Sequence, residues 1–161
     1  MVIGIDPGLT RMGFAVLEEA GSRIRVLASG TIRSEPSLGV PQRLQIAYDQ
    51  VSRLLAAHPG AVALERVFLN QNRASAVPSL QSSGVVQLAA AQAGLEVFEY
   101  SPAQVKLAVV GVGSATKDQV RFMVKRLATG ADPTTPDEAD AIAIAIAHLN
   151  HRGIRRLEEA L

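Results

Sequence analysis

The 161-residue chain predicts an α/β fold, a mixed five-stranded sheet flanked by helices. Three observations predict it. Short apolar runs within residues 2–5, 14–17 and 22–34 follow one another with only tight turns between, as in an antiparallel meander. Helix-spaced segments then alternate with two further strand-like runs, 61–64 and 95–100. Hydrophobic residues make up 48% of the chain, which suits a packed core and excludes a disordered one.

The first strand is Val2-Ile3-Gly4-Ile5, closed by Asp6 and turned at once by Pro7-Gly8. Phe14 to Leu17 returns beside it. Ser22 to Ser34, loosely alternating, is the third strand. After the Gly39-Val40-Pro41 break, Val40, Leu44, Ala47, Val51, Leu54 and Leu55 fall on one helical face, and His58-Pro59-Gly60 stops that helix. Ala61-Val62-Ala63-Leu64 is short and wholly apolar, as a strand buried on both faces is, and it too ends in a carboxylate, Glu65. Beyond a polar stretch, Ser75 is the expected cap of a small-residue helix running to Gln92, with Pro78 in its first turn and Gly94 after its end. Leu95 to Tyr100 is the fifth strand. Ser101 and Pro102 open a helix through Val110. Thr116 and Gln119 form a capping box for a helix through Leu127, and residues 129–134 are turn. The last helix is expected over 136–150, and the charged tail, about 151–161, is expected to fray.

One domain over residues 1–161 is the natural count for this length. With no cysteine, neither a disulfide framework nor a thiolate metal site is possible, which fits a reducing cytoplasm. Neither a secretory leader nor a membrane span is expected, so a cytoplasmic protein without a membrane partner is the reading. Net charge is only +1, yet residues 66–126 hold seven basic and three acidic side chains, a positive middle beside isolated acids. The loop Gly111 to Lys117 carries glycines and a lysine, but its spacing is not that of a phosphate loop and no strand leads into it.

The last helix carries the sharpest signal. Thr135 can cap it, Pro136 suits its first position, Glu138 completes a capping box, and Asp137 complements the dipole. None of this accounts for Asp140, which lies past the caps and shares its face with Ala143 and Ile144. A charge there must be paired, hydrogen-bonded or metal-bound, and a basic partner is one alternative. Asp137, three residues earlier, lies on the same face. Asp6, Glu65, Asp137 and Asp140 together make a set, two ending strands and two beginning a helix. Crowded carboxylates would repel and raise one another's pKa values, a conflict that hard oxygen-seeking ions remove. Mg2+ or Mn2+, two ions about 4 Å apart, can clamp the attacking and leaving oxygens of phosphoryl transfer. Taken alone, Asp6-Pro7-Gly8 remains open to the plainer reading of a hairpin turn.

The chain resembles the RuvC-type Holliday-junction resolvases of the ribonuclease H-like superfamily. The stretches that carry the resemblance are Gly4-Ile5-Asp6-Pro7-Gly8, Ala63-Leu64-Glu65-Arg66-Val67-Phe68, Gln104-Val105-Lys106, residues 110–115 and Asp137-Glu138-Ala139-Asp140-Ala141, in the family's order. The resemblance implies metal-dependent, paired cleavage of four-way junction DNA in recombination and repair. It implies that Asp6, Glu65, Asp137 and Asp140 are the catalytic, metal-binding carboxylates. It also implies that Lys106 and Lys117 lie near the cleaved backbone, that Phe68 stacks on bases, that the protein is a homodimer, and that a branch-migration motor complex is its partner. Arg73, in the polar loop, is a candidate phosphate contact. A core role for Phe68, and solvated positions for Lys106, Lys117 and Arg73, are the alternative readings. Residues 6–13 also resemble the first phosphate loop of actin-like ATPases and sugar kinases, which need a second such loop and a second domain. A related ribosomal RNA-processing nuclease shares the opening motif, and an adaptor on the same fold would be free to lose the acids.

Overall fold

The computed structural model describes residues 1–68 and 73–158, with the side chains of 73–75 and 154–158 outside that description. Three antiparallel strands open the chain: β1 (Val2–Asp6), β2 (Arg11–Ala20) and β3 (Arg23–Arg33). Helix α1 (Val40–Ala57) leads to β4 (Ala61–Glu65), which pairs parallel with β1. Helix α2 (Arg73–Gln92) leads to β5 (Val97–Tyr100), parallel to β4. Helices α3 (Pro102–Val110) and α4 (Lys117–Leu127), a two-residue strand β6 (Ala128–Thr129) and α5 (Pro136–Glu158) complete the chain. The sheet order is β5-β4-β1-β2-β3-β6.

Alternation along the strands divides the core. Ile3, Ile5, Met12, Val16, Val62 and Leu64 face α1 and α2, where Ala47, Val51, Leu55, Val86 and Ala90 pack. Val2, Ala15, Leu17 and Ala63 face the other way, onto α3, α4 and α5. Helix α5 is buried nearly all round, with every residue from Ala141 to Ala147 sealed from solvent. Its run of alternating alanine and isoleucine suits a helix enclosed on all sides.

The expected elements are present, with four differences. The sheet has a sixth strand where a turn was expected: Ala128 and Thr129 pair parallel with Ile24 and Arg25. Two residues carry no alternation, so no periodic signal marks them. Strand β2 is longer than its expected run, because it continues pairing with β3 through the charged Glu18 and Glu19. Helix α2 begins at Arg73, ahead of the expected Ser75 cap, so Pro78 lies inside it. Proline removes one bond of the ladder there, and packing along α1 carries the helix across the gap. Helix α5 runs to Glu158, past the expected end at Asn150, with Arg152 held 2.7 Å from Glu19. The capping box predicted for α4 forms at Thr116–Gln119, and the expected Ser101 cap of α3 proves to be a full box with Gln104.

Candidate active site

Strand parity places the first two acids. In β1, Val2 points to the α5 face and Ile5 to the α1 face, so Asp6 points to the α5 side. In β4, Ala63 and Leu64 split the same way, so Glu65 also faces α5. The parallel register sets Ile5 opposite Leu64. One step on, Asp6 and Glu65 are neighbours at the carboxyl ends of the two central strands, the position where open α/β sheets bind ligands.

Helix α5 delivers the other two by lying hard against the sheet. A Cβ on Gly4 would stand 2.2 Å from the Ala141 carbonyl oxygen, and one on Gly13 would stand 1.9 Å from that of Asp137. Only glycine admits this backbone-to-backbone approach. It brings the first turns of α5 over the ends of β1 and β2, where Asp137 and Asp140 meet Asp6 and Glu65. A cleft of about 190 Å³ beside them is lined by Glu65, Lys106, Lys117, Val120 and Asp140, among others. A larger hollow of about 450 Å³ lies by His148 and His151 and holds none of the four acids.

The electrostatics record the crowding. Burial first, then the charges of Glu65, Asp140 and Asp137, push the Asp6 carboxyl from 3.8 up to about 7, against the pull of Lys117. Glu65 is raised as well, by burial and by Asp140, with Lys117 and Lys106 opposing. Lys117 Nζ donates to Asp140 Oδ2 at 3.0 Å, and that hydrogen bond raises the lysine in turn. Asp140 is therefore both a member of the acid set and the holder of a basic partner, so the two readings of its sequence coexist. At Asp137, Arg11 Nε stands 3.2 Å from Oδ2. The donor is not aimed at it, and that buried oxygen has no hydrogen bond among the described residues.

Glu138 proves to be more than a cap. It is 6% exposed and accepts from Ser29 Oγ at 2.6 Å and from the Thr134 amide and hydroxyl at 2.8 and 3.0 Å. The box thus closes on the Thr134 amide, one residue ahead of the expected Thr135, while Thr135 Oγ accepts from the Glu138 amide. Burial pushes the Glu138 carboxyl up, but these bonds outweigh it and hold it below its ordinary value. With a bond between the Thr31 and Thr135 hydroxyls, they moor the start of α5 to β3.

Of the satellites, Lys117 touches the acid set, and Lys106 lines the cleft within electrostatic reach of Glu65. Phe68 lies just beyond Glu65 and is 47% exposed, which disfavours its core reading. The Arg73 side chain lies outside the described residues. Sequence reading passed over Arg11. The signal that finds it is register: Met12 packs on the α1 face, so Arg11 and Gly13 share the other face with Asp6.

The four residues fit a hard divalent cation. The donor set is all oxygen, and a buried Asp137 oxygen lacks a hydrogen bond among the described residues. Burial leaves Asp6 and Glu65 with charges that a cation would neutralise. Among the described residues no three acids are drawn into a closed cage. Here Lys117 and Arg11 are the cations facing Asp140 and Asp137.

Residues 2–148 match the family model described as "Crossover junction endodeoxyribonuclease RuvC". The RuvC protein of Azorhizobium caulinodans is 44% identical over 160 residues, covering 99% of this chain and 95% of the relative. That of Bordetella parapertussis is 46% identical over 148 residues, covering 91% of this chain and 81% of the relative. The Thermus thermophilus RuvC structure in complex with a Holliday junction substrate superposes with a TM-score of 0.89 at 32% identity, covering 96% and 95% of the two chains. A fowlpox virus Holliday junction resolvase shares the fold, with a TM-score of 0.61 at 12% identity.

Proposed function

This chain belongs to the RuvC family of crossover junction endodeoxyribonucleases, and from that premise we propose that Asp6, Glu65, Asp137 and Asp140 are the catalytic set with which it hydrolyses phosphodiesters at four-way DNA junctions. The enzyme is a junction-resolving endonuclease acting in recombination and repair. The observation that carries the site assignment is convergence: two strand ends and one helix start, brought together by glycine contacts, supply four carboxylates that pure packing would not tolerate.

Divalent cations held by these four residues, Mg2+ or Mn2+ and two per site, would neutralise charge at the phosphorus and supply an attacking water acidic enough to react at neutral pH. The chain's own groups do the rest. Asp6, at the centre, bears the strongest repulsion and gains most from a cation. Lys106 and Lys117 flank the cleft and hold the scissile phosphate between them. Phe68, exposed at the exit of β4, offers a ring for an unstacked base at the crossover. Arg73 is the further candidate for a phosphate contact.

Paired cutting needs two identical sites related by a two-fold axis, which a homodimer supplies. The exposed side of α2, with Val77, Leu80, Gly84 and Leu88, supports such an interface. A Cβ on Gly84 meets nothing within 4 Å among the described residues, leaving room for a second backbone. One domain over residues 1–161 carries the reaction. A cytoplasmic setting and a branch-migration motor partner complete the proposal, and no helix among the described residues is long and apolar enough to cross a membrane.

The test is metal-dependent nicking of a synthetic four-way junction against plain duplex. Wild type should cut the junction symmetrically, and Glu65→Gln should bind it without cutting. Cutting by Glu65→Gln at the wild-type rate would remove Glu65 from the site.

A further inference from the structure

On the far side of the acids from Lys106 and Lys117, the ends of β2 and β3 set Arg11 directly opposite Arg33. Residues opposed in this way have Cβ atoms roughly 4.5–5.5 Å apart, and like charges there are destabilising. The two share a sheet face with Gly13 and Thr31, the face on which α5 begins. Arg11 is turned toward Asp137, yet its side chain is 55% exposed, and one ion pair leaves other donors of its fork available. Arg33 is exposed and makes no hydrogen bond or ion pair among the described residues.

The rim that carries the pair is rigid. Ser34 Oγ donates to the Leu9 carbonyl at 2.7 Å, and the Ser34 amide donates to the Thr10 carbonyl at 3.1 Å. Arg43 binds the hydroxyls of both Thr10 and Ser34. A repulsive pair held on a fixed rim, one member without a counter-ion, is the arrangement an anion completes. Its position names the anion. Adjacent strands are roughly 4.8 Å apart, so β3 lies about 10 Å from β1 and Asp6. A nucleic-acid strand carries one charge per 3.4 Å or so along the helix axis. A chain of phosphates laid across the acids from Lys106 would therefore reach Arg11 and then Arg33, whereas a single small anion would not span the distance.

We propose that Arg11 and Arg33 form a phosphate-binding rim that holds the DNA backbone a few nucleotides from the cleaved bond. It rests on the junction-cutting function above and extends its site to the β3 side. Arg33 contacts only the backbone, so it contributes to binding and not to the bond-breaking step.

The test is the salt dependence of binding to a synthetic four-way junction, measured by fluorescence anisotropy in a Glu65→Gln background, together with cleavage kinetics in the cutting-competent protein. Arg33→Ala should make the slope of log affinity against log salt shallower by about 1. It should weaken binding about tenfold at 0.1 M salt and raise KM with kcat unchanged. Arg33→Lys should restore most of the slope, since it keeps the charge. Arg53→Ala, on α1 across the sheet, should match wild type. The melting temperature of Arg33→Ala should equal or exceed that of wild type, because a repulsion is relieved. Wild-type slope and KM in Arg33→Ala overturn the rim while leaving the nuclease intact. A wild-type protein that neither binds nor cuts junctions overturns the functional reading and the rim with it.

Discussion

Replacing Asp6 with asparagine should make the metal-free protein more stable while abolishing cleavage. Burial and three neighbouring carboxylates raise the Asp6 carboxyl from 3.8 to about 7. At 1.36 kcal/mol per pH unit, that rise disfavours the charged form by up to about 4 kcal/mol. The sign follows from linkage. A carboxyl raised in the folded state carries no penalty below about pH 4, where it is protonated whether the chain is folded or not. The penalty grows as pH rises and is complete above about pH 7. Asparagine has the same shape without the charge. In a chelator at pH 8, Asp6→Asn should therefore gain up to about 4 kcal/mol, or about 10 °C in melting temperature. At pH 4 it should match wild type. Wild type tolerates the charge because Ile142, Ile144 and Ile146 are fully buried on α5, each stabilising by about 1.5–3 kcal/mol. Magnesium should raise the melting temperature of wild type at pH 8 and have far less effect on the variant. Thermal denaturation at the two pH values is the assay. Equal stability of the two proteins at pH 8, or a gain of the same size at pH 4, refutes the electrostatic account of the site.

Gly4→Ala puts a methyl carbon 2.2 Å from the Ala141 carbonyl oxygen, so α5 must withdraw by about 1 Å; a loss of about 1–3 kcal/mol in chemical denaturation and about 100-fold in cleavage rate is expected. Phe68→Ala should slow cleavage by an amount worth about 1–3 kcal/mol of base stacking, at unchanged melting temperature; a cooler melt with normal kinetics would assign Phe68 to the core. Gly84→Glu should yield a monomer by sedimentation that still binds DNA weakly and makes only uncoordinated nicks, since a charge at the centre of an interface is strongly disruptive; a dimer of normal strength would move the interface off α2.

The sequence made three of the acids legible because each broke a pattern, and Asp137 followed from its three-residue spacing to Asp140. Asp6 and Glu65 end apolar runs, and Asp140 interrupts an apolar helix surface beyond the reach of capping. Strand parity then settled which side they face, a property that period-two alternation encodes directly. What stayed hidden depended on contacts between distant segments. Arg11 stands beside Asp137 only because Gly13 lets α5 descend onto β2, and nothing local to Arg11 announces it. Glu138 was legible as a cap but not as the acceptor of Ser29, 109 residues away in the chain. β6 is too short for any periodic signal, and the extension of α5 past Asn150 includes an ion pair to Glu19 that sequence spacing cannot reveal.

The close seating of α5 on the sheet also governs how the site can move. Its backbone touches that of β1 and β2 with no side chain between them, and the residues just after Asp140 are sealed from solvent. Segments so placed open only when the whole domain unfolds, and their amides belong to the slowest class in hydrogen exchange. Asp137 and Asp140 are thus fixed to the last part of the molecule to come apart. The positions of these two acids are therefore set by the seating of the helix, whereas the exposed Lys117 chain and the ring of Phe68 can shift at little cost.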